Sequence, residues 1–281
     1  MKPGLAKLSD LMRLVDDDTP LVRHSIAEQL AAYGDELEAG LEALAEKPDP
    51  EKRQHIHRLL EEYRRDRLVE AWHGWLQLED GKRKLETALS LLADFLSGKE
   101  TSSRLGLLLD ELADQYRSLH TEPHPEKLAD FLFKGKQLGG AQEDYYNPCH
   151  SNLIYVIEEK RGLPISLACI YMLVGTRLGI KIEGCNFPGH FLAQTFIQDE
   201  VVLVDCFNGG RTIPQGIFKQ LRNYEVVKKI INRSADTETI VTRVLTNLAR
   251  AFREKGFPEK KQLMEELLTA LEFRRPADTR D

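Results

Sequence analysis

Hydrophobic residues recur at helical spacing through the first part of the chain. Positions three and four residues apart form one apolar face near the N-terminus: Leu5, Leu8, Leu11, Met12 and Val15. Two further apolar faces follow, one with Leu68, Trp72, Trp75 and Leu76, the other with Leu85, Leu89, Leu92, Phe95 and Leu96. Polar residues occupy the positions between them. The pattern therefore predicts an all-helical region over residues 1–120.

Two features of this helical region invite a more specific interpretation. Residues 18–23 have the sequence Asp-Thr-Pro-Leu-Val-Arg, and the amphipathic stretch that follows ends at Gly34, which resembles one HEAT-type repeat. A partial second copy begins at Pro48. Because such arrays need about three units to bury a continuous face, we predict a HEAT-like region without a full solenoid. Trp72 and Trp75 are expected to pack in the core, although a binding platform is the alternative.

The pattern changes in the second half of the chain. A nearly continuous apolar run follows Gly162 and Pro164 and predicts a buried helix that continues to about residue 178. Short apolar segments at 180–184, 191–197 and 201–204 then predict strands, with a tight turn at 198–200 between the last two. This combination predicts one buried helix packed on antiparallel strands.

The end of the chain returns to helical spacing. Residues 226–231 are apolar and β-branched, which indicates a strand or a short linker. Beyond them, two amphipathic helices joined by Gly256-Phe257-Pro258 form a helical hairpin over 236–274 that resembles one tetratricopeptide-like unit. We therefore predict an α+β protein with a helical region at 1–120, a helix-plus-sheet core at 125–232 and this hairpin.

Composition and charge exclude several classes of function. The 281 residues are 42% hydrophobic and 30% charged, as in an ordinary globular protein. A net charge of −6 gives no basic surface for nucleic acid and no polybasic membrane anchor. No apolar segment approaches the roughly 20 residues that span a bilayer, and the N-terminus lacks the apolar stretch of a secretory signal. We expect a cytoplasmic protein that binds neither nucleic acid nor membrane.

The cysteines and glycines give no sign of a metal or cofactor. The four cysteines are unevenly spaced and form no Cys-x-x-Cys pair, so reduced thiols are expected. A metal set of Cys149, His150, Cys185 and His190 has no supporting spacing. The glycines before residue 144 match neither common phosphate-binding motif. We expect no cofactor and no metal.

Three residues could form a catalytic site. His190 begins one predicted strand and Asp205 ends the next, so the tight turn between the strands brings the two side chains together. Ser166 lies in the first turn of the buried helix, where free amides and the helix dipole favour an anion. Ser166, His190 and Asp205 could then act as nucleophile, base and orienting group. Equally, Ser166 could bond to backbone and His190 could be a structural core histidine.

Four motifs support a family resemblance. They are Tyr-Tyr-Asn-Pro at 145–148, Arg-Gly-Leu-Pro-Ile-Ser-Leu-Ala at 161–168, Pro-Gly-His-Phe-Leu at 188–192 and Asp-Cys-Phe-Asn-Gly-Gly-Arg at 205–211. Together they resemble the SirB family of transglutaminase-like core proteins. The resemblance implies a papain-like fold of one helix packed on a sheet, with a Cys-His-Asp triad.

The resemblance also identifies a departure from the family pattern. His190 and Asp205 match the family's histidine and aspartate, but Pro164 stands where active members have the cysteine of Gly-x-Cys-x-x-x-Ala. Proline cannot be a nucleophile, and an unactivated serine is much weaker than a thiolate. We therefore expect a degenerate active site in a scaffold that binds a protein or peptide. The alternative is a hydrolase or acyltransferase that acts on protein amides through Ser166 or a cysteine.

Overall fold

A computed structural model describes residues 4–79, 81–98, 102–198, 200–220 and 224–273. Its first helices are α1 (Leu5–Leu14), α2 (Pro20–Ala31), α3 (Glu36–Glu42), α4 (Pro50–Leu76), α5 (Gly81–Ser97), α6 (Ser102–Leu119) and α7 (Pro125–Ala129), which continues as a π-helix (Asp130–Gly135). Next come β1 (Gly139–Gly140), a 3-10 helix (Pro148–Ser151), α8 (Leu153–Glu159), β2 (Arg161–Gly162) and α9 (Pro164–Arg177). The chain then forms β3 (Ile182–Cys185), β4 (Leu192–Ile197), β5 (Glu200–Asp205), β6 (Arg211–Pro214) and a 3-10 helix (Gln215–Gln220). The last helices are α10 (Tyr224–Ile231), α11 (Thr237–Glu254) and α12 (Pro258–Glu272). This mixture of helices and small sheets confirms the α+β prediction.

Helix α4 connects two hydrophobic cores. It begins where the side chain of Asp49 accepts a hydrogen bond from the backbone of Lys52, with Pro50 at the first position, and it runs for 27 residues. Its first half packs with α1, α2 and α3 through Ile56, Leu59, Leu60 and Tyr63. Its second half belongs to the larger core through Leu68, Trp72, Trp75 and Leu76. Because both tryptophans are almost completely buried, their predicted packing role is confirmed.

The larger core surrounds α9. Every residue of α9 from Pro164 to Gly175 is buried, as the apolar run predicts. Helices α5, α6, α8 and α11 and strands β3 and β4 pack against it. The hairpin of α11 and α12 shares this core, since Phe252 on α11 lies edge-on to Phe95 on α5 with ring centroids 6.5 Å apart. The helix that would present a catalytic nucleophile is thus enclosed by helices from both ends of the chain.

The main sheet is antiparallel in the order β3-β4-β5-β6. Residues 226–231, predicted as a strand or linker, instead lie in α10, so that prediction was wrong. Val227 and Ile231 are buried four residues apart and cover Leu192 and Leu203 of the sheet. Packing of this amphipathic face against the sheet outweighs the β propensity of its branched residues.

None of the helices among the described residues is both long and apolar enough to cross a membrane.

Candidate functional site

His190 and Asp205 are hydrogen-bonded to each other at one end of the β4–β5 hairpin. Because Ala193 pairs with Val204 in the ladder, Asp205 lies opposite Leu192, two residues after His190. His190 Nε2 is 2.8 Å from Asp205 Oδ1, and the His190 side chain is 31% exposed while that of Asp205 is 8% exposed. A carboxylate can only accept, so Nε2–H donates and Nδ1 is left for another partner. The strand pattern correctly predicted that these side chains meet.

Asn208 completes the environment of the Asp205 carboxylate. Its side-chain nitrogen donates to Oδ2 at 2.8 Å, and its backbone N–H donates to Oδ1 at 3.2 Å. Burial raises the pKa of Asp205, but the hydrogen bonds from His190 and Asn208 outweigh burial and hold that pKa below its usual value. The carboxylate is therefore ionised at neutral pH and oriented towards the imidazole.

A row of four aromatic rings leads away from this pair. We call Tyr146, Tyr145, Phe207 and His190 the aromatic row. Successive ring centroids lie 5.4, 6.5 and 6.0 Å apart, and each ring is steeply inclined to the next, at 86°, 65° and 88°. The Arg250 guanidinium stacks on Tyr146, 4.7 Å from the ring centroid. Because Tyr145 is 42% exposed, the row presents an accessible aromatic surface next to His190.

Two contacts hold the segments that carry this row. Gly140 donates from its backbone N–H to the carbonyl of Phe207 at 3.1 Å, and a Cβ atom at Gly140 would lie 2.6 Å from the Phe207 ring. Lys255, directly after α11, forms a 2.6 Å ion pair with Asp144, just before the two tyrosines. The aromatic surface is therefore supported from both sides.

Ser166 is not hydrogen-bonded to His190 among the described residues. It is completely buried, and its hydroxyl donates to the backbone carbonyl of His150 at 2.8 Å. Pro164, the first residue of α9, is also buried and offers no side-chain nucleophile. The structure thus brings together His190 and Asp205 and directs the Ser166 hydroxyl to a carbonyl.

The thiols of the cysteines are not activated either. Burial raises the pKa of Cys169 to about 12 and that of Cys185 to about 11. The pKa of Cys206 is raised well above its usual value by burial and by neighbouring Asp205. Cys149 is half-buried, and burial together with the charge of Asp144 raises its pKa. Each of these groups is a neutral thiol at pH 7.

The described residues contain no group of three or more His, Cys, Asp or Glu side chains placed to hold a metal ion. Within the described residues there is therefore no metal cluster formed by Cys149, His150, Cys185 and His190.

Asn208 and the aromatic residues lie within the four sequence motifs, but no role was predicted for them. For Asn208 a signal was present, because an Asn three residues after an Asp and before two glycines is typical of a tight turn that returns to the Asp. For the aromatic row no local signal existed. Tyr145 and Phe207 are far apart in the sequence and meet only in the fold.

Comparison with known proteins gives a consistent assignment. A family model described as the transglutaminase-like superfamily matches residues 100–250, a range that includes Ser166, His190 and Asp205. A UPF0162 protein from Xylella fastidiosa is 36% identical over 127 residues, which cover 42% of this chain and 45% of that protein. A UPF0162 protein from Pseudomonas aeruginosa is 27% identical over 173 residues, covering 60% of this chain and 63% of the relative.

A more distant relative is F-box only protein 21 from Mus musculus, which is 25% identical over 145 residues. This match covers 49% of the chain and 23% of that protein. The chain thus spans less than two thirds of each relative's length. No solved structure matches the chain significantly.

Proposed function

The chain belongs to the transglutaminase-like superfamily, and from this premise we propose that it is a binding scaffold that has lost its catalytic nucleophile. The single observation that carries the proposal lies at the start of α9, where buried Ser166 is hydrogen-bonded to a backbone carbonyl. The family resemblance further implies that Pro164 stands at the position of the family's cysteine. A nucleophile must have an accessible, activated atom beside its base. Neither residue meets that requirement.

The state of the cysteines supports the same proposal. A thiolate elsewhere in the site could replace the missing residue only if its pKa were lowered towards neutrality. Burial instead raises the pKa of all four thiols, with a further contribution from nearby carboxylates at Cys149 and Cys206. Cysteine chemistry is therefore suppressed.

The surface beside His190 has the character of a peptide-binding face. The aromatic row offers large rigid rings with little conformational entropy to lose, and aromatic residues dominate the energetics of many interfaces. Arg250 extends this surface with a cation stacked on Tyr146. We infer that a protein or peptide partner binds across the aromatic row, with His190 and Asn208 at one end as hydrogen-bonding groups.

The distribution of the module among relatives also favours binding. In F-box only protein 21 the matching region is 23% of a longer protein, so related modules occur beside other chain segments. A module that recognises a partner can be combined in this way without a chemistry of its own. We therefore propose that the chain acts as a regulatory or interaction scaffold.

Three finer assignments belong to the same proposal. We assign the chain to the SirB family on its four motifs, and we place it in the cytoplasm. We divide it into a HEAT-like region at 1–120, a transglutaminase-like core at 125–232 and a tetratricopeptide-like hairpin at 236–274. Support for the last unit comes from the close packing of α11 against α12 around a Gly-x-Pro connection.

One observation favours a second function, a hydrolase or acyltransferase acting on protein amides. The 2.8 Å bond between His190 and Asp205 is the arrangement that holds a catalytic imidazole in one tautomer. In this alternative Ser166 would have to leave its carbonyl partner and turn towards His190. The two functions differ in whether any side chain reacts as an activated nucleophile.

Reactivity towards electrophiles distinguishes the two functions. Native protein is treated separately with a fluorophosphonate and with iodoacetamide, and intact mass is followed over time. We expect no fluorophosphonate adduct, and iodoacetamide labelling no faster than in urea-denatured protein. Rapid stoichiometric labelling that disappears in His190→Ala would overturn the scaffold proposal. His57→Ala is the matched control, because His57 is a 59% exposed histidine on α4.

Binding is tested with a random-peptide phage library panned on the immobilised protein. We expect wild type to enrich a peptide motif that Tyr145→Ala does not enrich, because the variant removes an exposed ring from the aromatic row. Phe273→Ala removes an 86% exposed ring elsewhere and should enrich the same motif as wild type. Enrichment of one motif by all three proteins would place the binding surface away from the aromatic row.

A further inference from the structure

A cavity lies away from His190, where α4 passes between the two hydrophobic cores. The first core ends on this helix at Tyr63 and the larger core begins at Leu68. Between these positions the helix does not pack closely on its neighbours. A cavity of about 440 Å³ opens there, between α4, the end of α5, and α11 and α12.

Arg64 projects from α4 into this cavity, which we call the Arg64 cavity. The side chain is partly buried, and its Nε–H is buried without a hydrogen-bond partner among the described residues. Gly98 at the end of α5 leaves room for the guanidinium, because a Cβ atom there would lie 2.7 Å from Arg64 Cζ. A partly buried guanidinium that lacks an ion-pair partner among the described residues is unfavourable, so this guanidinium is suited to bind an anion.

Two of the carboxylates that line the cavity are bound to other cations. Glu61 forms a 2.9 Å ion pair with Lys260, and Glu62 forms a 2.8 Å ion pair with Arg23. Glu61 still acts on Arg64 through its charge, but no hydrogen bond joins them in the described part of the chain. Among the described residues, Arg64 is thus a partly buried cation of the cavity with no ion-pair partner.

Three more charged residues line the cavity: Arg58, Arg65 and Glu259. Arg65 donates to Glu266 at 2.7 Å and is further stabilised by the charge of Glu259. Arg58 lies exposed at the rim and adds positive charge. An anion that enters therefore meets Arg64 inside and Arg58 outside.

The opposite wall of the cavity is apolar. It is formed by Phe95 and Leu96 of α5 together with Phe252 of α11 and Leu263 of α12. A volume of about 440 Å³ lies in the range of small-molecule sites, which are mostly apolar with a few polar groups that fix orientation. The cavity therefore combines one anion-binding group with an apolar wall.

We propose that the Arg64 cavity binds a small molecule with one oxyanion group, a carboxylate or a phosphate, attached to an apolar body. The planar guanidinium donates to the oxyanion through its terminal N–H groups, in the fixed geometry that arginine offers to carboxylates and phosphates. The apolar body packs on Phe95 and Leu263. Binding here does not depend on the function proposed for the His190 site.

Isothermal titration calorimetry on the full chain tests this proposal with four probes. Octanoate and octyl phosphate present the two oxyanions on one apolar body, inorganic phosphate lacks that body, and octylammonium reverses the charge. We expect saturable one-site binding of octanoate, octyl phosphate or both, with much weaker heats from the other two probes. Which of the two binds more tightly identifies the preferred oxyanion. No saturable binding of either octyl anion, or equal binding of octylammonium, would overturn the proposal.

Two variants locate the binding site. Arg64→Gln should weaken binding of the octyl anions about 10- to 100-fold, the usual value of hydrogen bonds to a charged group. Arg13→Gln is the matched control, since Arg13 is 80% exposed on α1, and it should bind as wild type does. Ser97→Leu keeps Arg64, places a bulky group at the cavity wall and should also weaken binding. Unchanged affinity in both Arg64→Gln and Ser97→Leu would place the probes elsewhere.

Discussion

Gly210 provides a sharp test of how the loop after Asp205 is fixed. Its backbone has φ +70°, a left-handed conformation that side chains disfavour, and its N–H donates to the Asp205 carbonyl at 2.9 Å. A Cβ atom at Gly210 would lie 2.4 Å from Cδ2 of Phe133. Phe133 is itself buried and in contact with Tyr171 at 5.8 Å between centroids, so it has little freedom to move.

The expected loss of stability in Gly210→Ala has two parts. A non-glycine residue in the left-handed region costs about 1–2 kcal/mol. Forcing an additional carbon into a packed core adds about 1–3 kcal/mol. Gly209→Ala is a matched control, because Gly209 has φ +77° but nothing within 4 Å of the added atom. We expect a loss of about 2–5 kcal/mol in Gly210→Ala and about 1–2 kcal/mol in Gly209→Ala.

Urea unfolding followed by far-UV circular dichroism measures both losses. The difference in free energy of unfolding between the two variants measures the overlap with Phe133, because both variants have the same cost of a left-handed backbone. If Gly209→Ala and Gly210→Ala lose the same free energy of unfolding at unchanged denaturant dependence, the Phe133 ring moves aside at no cost in free energy. The loop after Asp205 would then be less tightly fixed than its contacts indicate.

Three further predictions follow from the site. Ser166→Ala removes a buried hydrogen bond to the His150 carbonyl and should lower the free energy of unfolding by about 1 kcal/mol in urea titrations; a loss near zero would show that this bond contributes little. Burial raises the pKa of Asp205, but the hydrogen bonds its carboxylate accepts hold the folded-state pKa below the usual 3.8. The stabilisation by the Asp205 carboxylate is therefore present above about pH 4 and is lost as pH falls through the folded-state pKa. Asp205→Asn should flatten the acid side of a plot of urea midpoint against pH. An unchanged acid side would contradict this. Among the cysteines, half-buried Cys149 should react first with iodoacetamide in peptide-mapping mass spectrometry, and first labelling at a fully buried cysteine would indicate local opening.

The sequence by itself determined features that depend on neighbours a few residues away. Helix α4 begins at Pro50 because Asp49 caps it, and α9 begins at Pro164 because proline suits a first helical turn. The meeting of His190 with Asp205 is also local, since one hairpin fixes the register of both strands. Periodicity and turn residues were sufficient to predict the start of α9 and the meeting of His190 with Asp205, although the chemical role of the pair is still a proposal.

Tertiary structure decided what depends on distant segments. Residues 226–231 form α10 because their apolar face covers a sheet that the local β propensity could not reveal. Ser166 bonds to the carbonyl of His150, sixteen residues earlier, and the aromatic row joins residues more than sixty positions apart. Among the described residues, the Nε–H of Arg64 has no hydrogen-bond partner where α4, α5 and α12 meet around the cavity. Such outcomes follow from the three-dimensional packing of whole elements, a property that hydrophobic periodicity within one element does not encode.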